Sequence, residues 1–180
     1  MEQFNKLVGE HISPEFMDFL IYNGFFEAPA STKYHGNFEG GLYKHSRTVT
    51  EILVELTENN KLEWQHPRSP YIVGMFHDLC KIDSYRHPRA GSMLNGNELT
   101  DLSSWEYNTE TLYKGHGEKS VLLLSQFMQL TPEEVACITY HMGAFTDKDE
   151  WNYYGRAVEQ YPNVLWTHTA DMIASRICNT

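Results

Sequence analysis

The sequence predicts an all-α domain of five or six packed helices, on three observations. Apolar residues recur at intervals of three and four in several segments, the spacing that gathers them on one helical face. Two segments open with a capping residue followed by proline, Ser13-Pro14 and Thr131-Pro132. Loops rich in Gly, Pro, Asn and Ser separate the helical stretches, and no internal repeat or low-complexity run interrupts them.

Taken in order, Ser13 and Pro14 start a helix through EFMDFLIYNGF, and Gly24 stops it. EAPASTKYHGNFEGG follows as a loop rich in aromatic and polar groups. From Leu42 a helix pattern sets His45, Val49, Ile52, Leu53 and Leu56 on one face, so His45 points the same way as the core. Residues 59–70 form a second loop, and Pro70 suits the start of the next helix. YIVGMFHDLCKI is apolar apart from His77, Asp78 and Lys81; it reads as a buried central helix, although so short a run also resembles a strand.

Residues 84–115 read as a long irregular stretch holding Trp105, Tyr107 and Tyr113. Ordered loops of that length are usually functional. HGEKSVLLLSQFM is helical, with His116 at its start. In the next helix Glu134 stands three residues after Thr131, the spacing of a capping box, and the pattern runs to His141 before Gly143 ends it. FTDKDEWNYYGRAVEQYP is ambiguous. The last helix, about 162–178, carries Val164, Leu165, His168, Asp171 and Met172.

The 180 residues suit one domain, 1–180, with its own hydrophobic core. A formal charge of -10 does not favour wrapping long duplex nucleic acid, though a local basic pocket stays compatible with it. Cys80, Cys137 and Cys178 lie far apart, which reads as reduced thiols rather than a disulfide framework or zinc-ligand pairs. The first residues lack a basic leader with an apolar run, and no stretch approaches a membrane span. A soluble, cytoplasmic protein is the expectation.

The chemistry concentrates in His77-Asp78. A helix so apolar buries an imidazole beside a carboxylate only with partners, because an unpaired buried charge costs several kcal/mol, as an order of magnitude. A bound metal is one such partner, and Lys81, one turn on, can present a cation to a phosphate. His45, His116, His141 and Asp171 have the same character, each in or at the end of a helical pattern. Together they offer donors for one or two divalent ions of Mn, Fe, Co, Ni, Zn or Mg. Taken singly, each histidine reads as a hydrogen-bonded core residue, Lys81 as a solvated lysine, and Trp105 or Tyr107 as a loop anchor.

The blocks also carry a resemblance. GGLYKHS, MFHDLCKI, YKGHGEKS, CITYHMG and HTADMIASR, in that order over about 30–178, resemble the signature blocks of the HD phosphohydrolase superfamily. The resemblance implies a compact helical HD-domain (HD/PDEase-like) fold. It implies a first metal on His45, His77, Asp78 and Asp171, with Asp78 bridging to a second on His116 and His141. A metal-bridging hydroxide would attack phosphorus while Lys81 steadies the phosphate. His168, one turn before Asp171, would orient a ligand by a hydrogen bond or serve as a structural histidine.

PASTKYHGNFEGG is similar to the stretch before the first ligand in HD domains of YhaM-type 3'-5' exoribonucleases, which would place His35 near the substrate. Those enzymes usually carry a further nucleic-acid-binding domain, for which this chain has no room. A nucleotide or short oligonucleotide is therefore the expected substrate, with Tyr34, Trp105 or Tyr107 as stacking groups. A 3'-5' exonuclease of short single-stranded RNA or DNA, and a non-catalytic nucleotide-binding or regulatory protein, are the alternatives. A homodimer through exposed aromatic residues is compatible with the sequence.

Overall fold

Eight α-helices carry the chain among the residues that the computed structural model describes, which are 1–32, 36–87, 105–113, 115–146 and 148–180. They are α1 (Glu2–Val8), α2 (Pro14–Tyr22), α3 (Gly41–Asn60), α4 (Ser69–Phe76), α5 (Gly117–Leu124), α6 (Pro132–Thr139), α7 (Trp151–Gln160) and α8 (Asn163–Arg176). The all-α class holds, with two more helices than the sequence pattern yields. Helix α1 is too short to show a period, yet its Phe4 and Val8 are fully buried. Helix α7 is the segment that read as ambiguous, and it buries no residue completely.

The capping signals form as expected. Ser13 accepts a hydrogen bond from the Phe16 amide at 3.2 Å and opens α2. Thr131 Oγ1 accepts from the Glu134 amide at 3.1 Å, and the Glu134 carboxylate accepts from the Thr131 amide at 2.8 Å, closing the capping box of α6. Fully buried Glu134 also accepts from Ser69 Oγ at 3.0 Å, so this carboxylate is satisfied by protein donors.

Helix α3 lies at the centre, packed against α4 and α8; α6 packs on α8 and α5. Leu42, His45, Ser46, Val49, Thr50 and Leu53 form the buried face of α3. Phe4 fixes the N-terminal segment against this centre, its ring within 6.5 Å of Phe25, Phe26, Tyr43 and Phe76, centroid to centroid. No helix among the described residues is long and apolar enough to cross a membrane.

Two differences from the sequence reading shape the site. The apolar run around His77-Asp78 is not one helix: α4 stops at Phe76, Asp78 adopts φ -104° and ψ 18°, and a 3₁₀ turn follows at Leu79–Ile82. The stretch 84–115 is not wholly irregular either. Strand β1 (Tyr85–Arg86) pairs antiparallel with β2 (Glu106–Tyr107), Tyr85 opposite Tyr107, and Arg86 Nε meets Glu106 Oε1 at 3.1 Å. Most of that stretch, residues 88–104 and 114, lies outside the described residues.

Helices α3 and α4 touch at Gly74. A Cβ there would lie 2.6 Å from the Cα of Thr50, closer than non-bonded atoms approach, so only glycine lets the two backbones meet. Gly74→Ala should therefore lower the urea unfolding midpoint by the equivalent of about 1–3 kcal/mol, the usual cost of overpacking. An unchanged midpoint would mean that the helices do not meet at this residue.

Candidate metal centre

Five separate parts of the chain bring polar side chains to one buried point. His45 comes from the buried face of α3, and His77 and Asp78 from the break after α4. His116 caps the N-terminus of α5, His141 follows α6 by two residues, and Asp171 comes from α8. His45, His77 and His141 are fully buried and Asp78 is 2% exposed, whereas His116 is partly open to solvent. The six residues that the sequence marked as ligands thus converge.

Asp78 is the hub, and its two oxygens face different partners. Oδ2 lies 3.7 Å from His45 Nε2, 3.5 Å from His77 Nε2 and 2.6 Å from Lys81 Nζ. Oδ1 lies 2.7 Å from His116 Nε2 and 3.4 Å from His141 Nε2. Asp171 Oδ1 stands 3.1 Å from His45 Nε2. The two groups are contiguous, since the rings of His77 and His141 are 4.8 Å apart.

The other ring nitrogens fix which atoms face the hub. Nδ1 of His77 donates to the Gly74 carbonyl at 2.9 Å, and Nδ1 of His141 to the Ile138 carbonyl at 2.7 Å. Nδ1 of His45 donates to the main-chain oxygen of Thr180 at 3.0 Å. A carbonyl only accepts, so each Nδ1 carries the proton and each Nε2 is turned toward a carboxylate. Nε2 of His77 and of His141 is buried without a hydrogen-bond partner. Leaving such an atom unsatisfied costs about 1–3 kcal/mol. Ligand atoms about 2.0–2.2 Å from a shared ion and at a right angle to each other are about 3 Å apart, close to the separations seen here.

The electrostatics favour the deprotonated forms of Asp78, Asp171 and His141. Burial opposes the charge on Asp78, but Lys81, His77 and His116 around it hold its carboxyl well below the usual carboxylate range. Burial works against Asp171 as well, and His45 beside its carboxylate, with the nearby His77 and His141, outweighs it. Burial keeps His141 below its ordinary value, hence neutral, as a metal ligand must be. Groups drawn from His45, His77, Asp78, His141 and Asp171 have ligand atoms within 4.8 Å of one another, the compactness a metal ion needs.

Lys81 is not a solvated helix-end lysine: it is 8% exposed, and its ammonium, raised above its ordinary value by Asp78 despite burial, stays charged. His168 donates from Nδ1 to the main-chain carbonyl of His141 at 2.8 Å, so it supports the backbone of that residue rather than its ring. A cavity of about 250 Å³ opens over the cluster, lined by Asp78, Lys81, Tyr85, His116, His168 and Asp171 among others. Neither Trp105 nor Tyr107 lines it: Trp105 lies against His87 at 3.9 Å and Tyr107 against Tyr85 at 5.3 Å. Tyr34 and His35 lie outside the described residues.

Two contributors escaped the sequence reading. Cys80 Sγ sits 3.6 Å from His116 Nδ1, and with Asp78 and His116 it forms a further group compact enough for an ion. Its position two residues after Asp78 in HDLC was the available signal. The Thr180 oxygen that orients His45 had none, because a main-chain acceptor 135 residues away leaves no mark in composition or spacing. No family model matches the chain, and neither curated proteins nor solved structures yield a match.

His116 gives this electrostatic picture a direct check. Burial disfavours its imidazolium, but the Asp78 carboxylate beside it pushes its pKa up to about 10. Because the folded value lies above the ordinary 6.5, the stabilisation is present in full below about pH 6.5 and is lost as pH rises through about 10. In chelator-treated protein, the NMR signals of the His116 ring should titrate near pH 10, and Asp78→Asn should return them to the ordinary value or below. Titration near pH 6.5 in the unsubstituted protein would contradict the pairing.

Proposed function

We propose that this chain is a metal-dependent phosphohydrolase of the HD superfamily, acting on a phosphoester or phosphodiester of a nucleotide or short oligonucleotide. One observation carries the reading. The Nε2 atoms of His77 and His141 face the Asp78 carboxylate, buried and without a hydrogen-bond partner, while their Nδ1 atoms are committed to backbone carbonyls. A divalent cation is the partner that such lone pairs and a carboxylate share.

The donors divide about Asp78. His45, His77, Asp171 and one Asp78 oxygen would hold one ion; His116, His141 and the other oxygen would hold a second. Bound there, divalent ions would supply Lewis acidity, a water of lowered pKa and neutralisation of phosphoryl oxygens. Nitrogen and oxygen donors suit Mn, Fe, Co, Ni, Zn or Mg.

The chain's own groups do the rest. Lys81, held charged beside Asp78 in the cavity lining, would meet a phosphoryl oxygen with a cation that needs no reorganisation. Packing of α3 against α4 and α8 keeps ligands from distant parts of the sequence at fixed separations. His168 holds the main chain of His141, and so the direction of that ligand.

The test is product release from nucleoside mono- and triphosphates, cyclic nucleotides, dinucleotides and short single-stranded RNA, with metal content measured on the same protein. Turnover of a small nucleotide in Mn²⁺, Fe²⁺, Co²⁺, Ni²⁺ or Mg²⁺ is expected. Asp78→Ala should lower the rate by roughly three orders of magnitude or more, about 4 kcal/mol of barrier. His116→Ala should weaken only a second ion. Turnover of the RNA alone would select the exonuclease reading. Metal-loaded, folded protein inert on every substrate, or an active Asp78→Ala variant, would sink the proposal.

A further inference from the structure

Two cavities meet at His116. One, about 250 Å³, contains Asp78, Lys81, Asp171 and Arg176. The other, about 370 Å³, is bounded by Glu118, Thr139, Thr146 and Glu150. His116, Met142 and Phe145 line both, so one donor of the cluster stands at the junction and Phe145 stands between the two spaces.

Phe145 is held in that position by its surroundings. It is 60% exposed, unusual for a phenylalanine, in a 3₁₀ turn, Gly143–Phe145, that begins two residues after His141. Gly143 has φ +57°, and a Cβ there would lie 2.6 Å from the His168 ring. The turn is therefore clamped on His168, which in turn donates to the His141 carbonyl. The Arg176 guanidinium lies over the Phe145 ring, 6.0 Å from its centroid, and no carboxylate pairs with it among the described residues. An exposed ring beside an arginine free to bind an anion recognises a flat group that carries negative charge.

The charges of the two cavities differ. On the first side Lys81 and Arg176 stand with the carboxylates of Asp78 and Asp171, whose charge the ions of the proposed centre would take up, so the two cations remain for an anion. The second side offers Glu118 and Glu150, with no lysine or arginine among its described lining residues. We infer that the cleft has a polarity: the nucleotide half of a phosphoester lies on the Lys81–Arg176 side with its base against Phe145. An uncharged alcohol half, a nucleoside or sugar, then lies on the Glu118–Glu150 side. This rests on the phosphohydrolase reading above and names its substrate class. Hydrolysis joins a water oxygen to phosphorus and breaks the phosphorus–oxygen bond to the alcohol. One water proton ends on the departing oxygen, so the group facing the carboxylates leaves neutral and the anionic product stays with the cations. A strand with further phosphates on the departing side is disfavoured, which selects dinucleotides and terminal linkages over internal ones.

Calorimetric titration of the manganese-loaded chain tests this without reading turnover. Adenosine 5'-monophosphate and adenosine serve as probes, with a phosphorothioate dinucleotide that either lacks or carries an extra phosphate on the departing nucleoside. Arg176→Gln should weaken monophosphate binding about tenfold and leave adenosine unchanged, the effect of losing one charged hydrogen bond. Phe145→Ala should weaken both. The unsubstituted chain should disfavour the extra phosphate about tenfold, and the double variant Glu118→Gln, Glu150→Gln should narrow that gap. Manganese content should be the same in all variants. Equal monophosphate affinity in Arg176→Gln, equal affinity for the two dinucleotides, or no nucleotide binding by metal-loaded protein would overturn the inference. Failure to load manganese at all would instead overturn the reading on which it rests.

Discussion

A buried carboxylate organises this protein. Asp78 is 2% exposed, and taking an ionised carboxylate from water costs several kcal/mol even after relaxation. Every neighbouring feature answers to that cost. Helix α4 gives way at Phe76, so that Asp78 leaves the helical path and Lys81, three residues on, reaches it at 2.6 Å. The N-terminus of α5 brings His116 to its other oxygen. Gly74 lets α3 come close enough for His45 to join.

Glu134 shows how a purely structural buried carboxylate is treated. Its oxygens accept from the Thr131 amide, from Ser69 and from Arg68, all ordinary hydrogen-bond donors. Around Asp78 the arrangement is different in kind. Lys81 and His116 bring protons, but His77 and His141 bring lone pairs, and their Nδ1 protons are already spent on main-chain carbonyls. A fold optimised only for stability would not set unpartnered acceptors beside a carboxylate; a fold that binds cations gains from it. The same set of side chains thus costs stability and leaves donors that a bound cation would satisfy.

Much of this was legible in the sequence because of burial. His45 sits in the apolar stripe of α3, and His77-Asp78 interrupts an otherwise apolar run, so polar groups in the core could be named before their geometry was known. Caps at Ser13 and Thr131 were legible because their chemistry is local. What was hidden depends on tertiary context. Helix α1 is seven residues long, too short for a period, and α7 spreads its aromatic residues without a fully buried one. The pairing of Tyr85 with Tyr107 spans the long stretch and needs long-range closure. Phe145 lines the cavity where Trp105 and Tyr107 do not, and its place there depends on how Gly143 packs on His168.

The central claim is that these histidines and aspartates form a metal centre about Asp78. A crystal structure of protein grown with manganese, with anomalous difference maps, tests it most directly. The account predicts an anomalous peak enclosed by the Nε2 atoms of His45 and His77 and by the carboxylates of Asp78 and Asp171, with the Nδ1 bonds to the main chain intact. A map without a peak at Asp78, in protein that scatters manganese elsewhere, would contradict it.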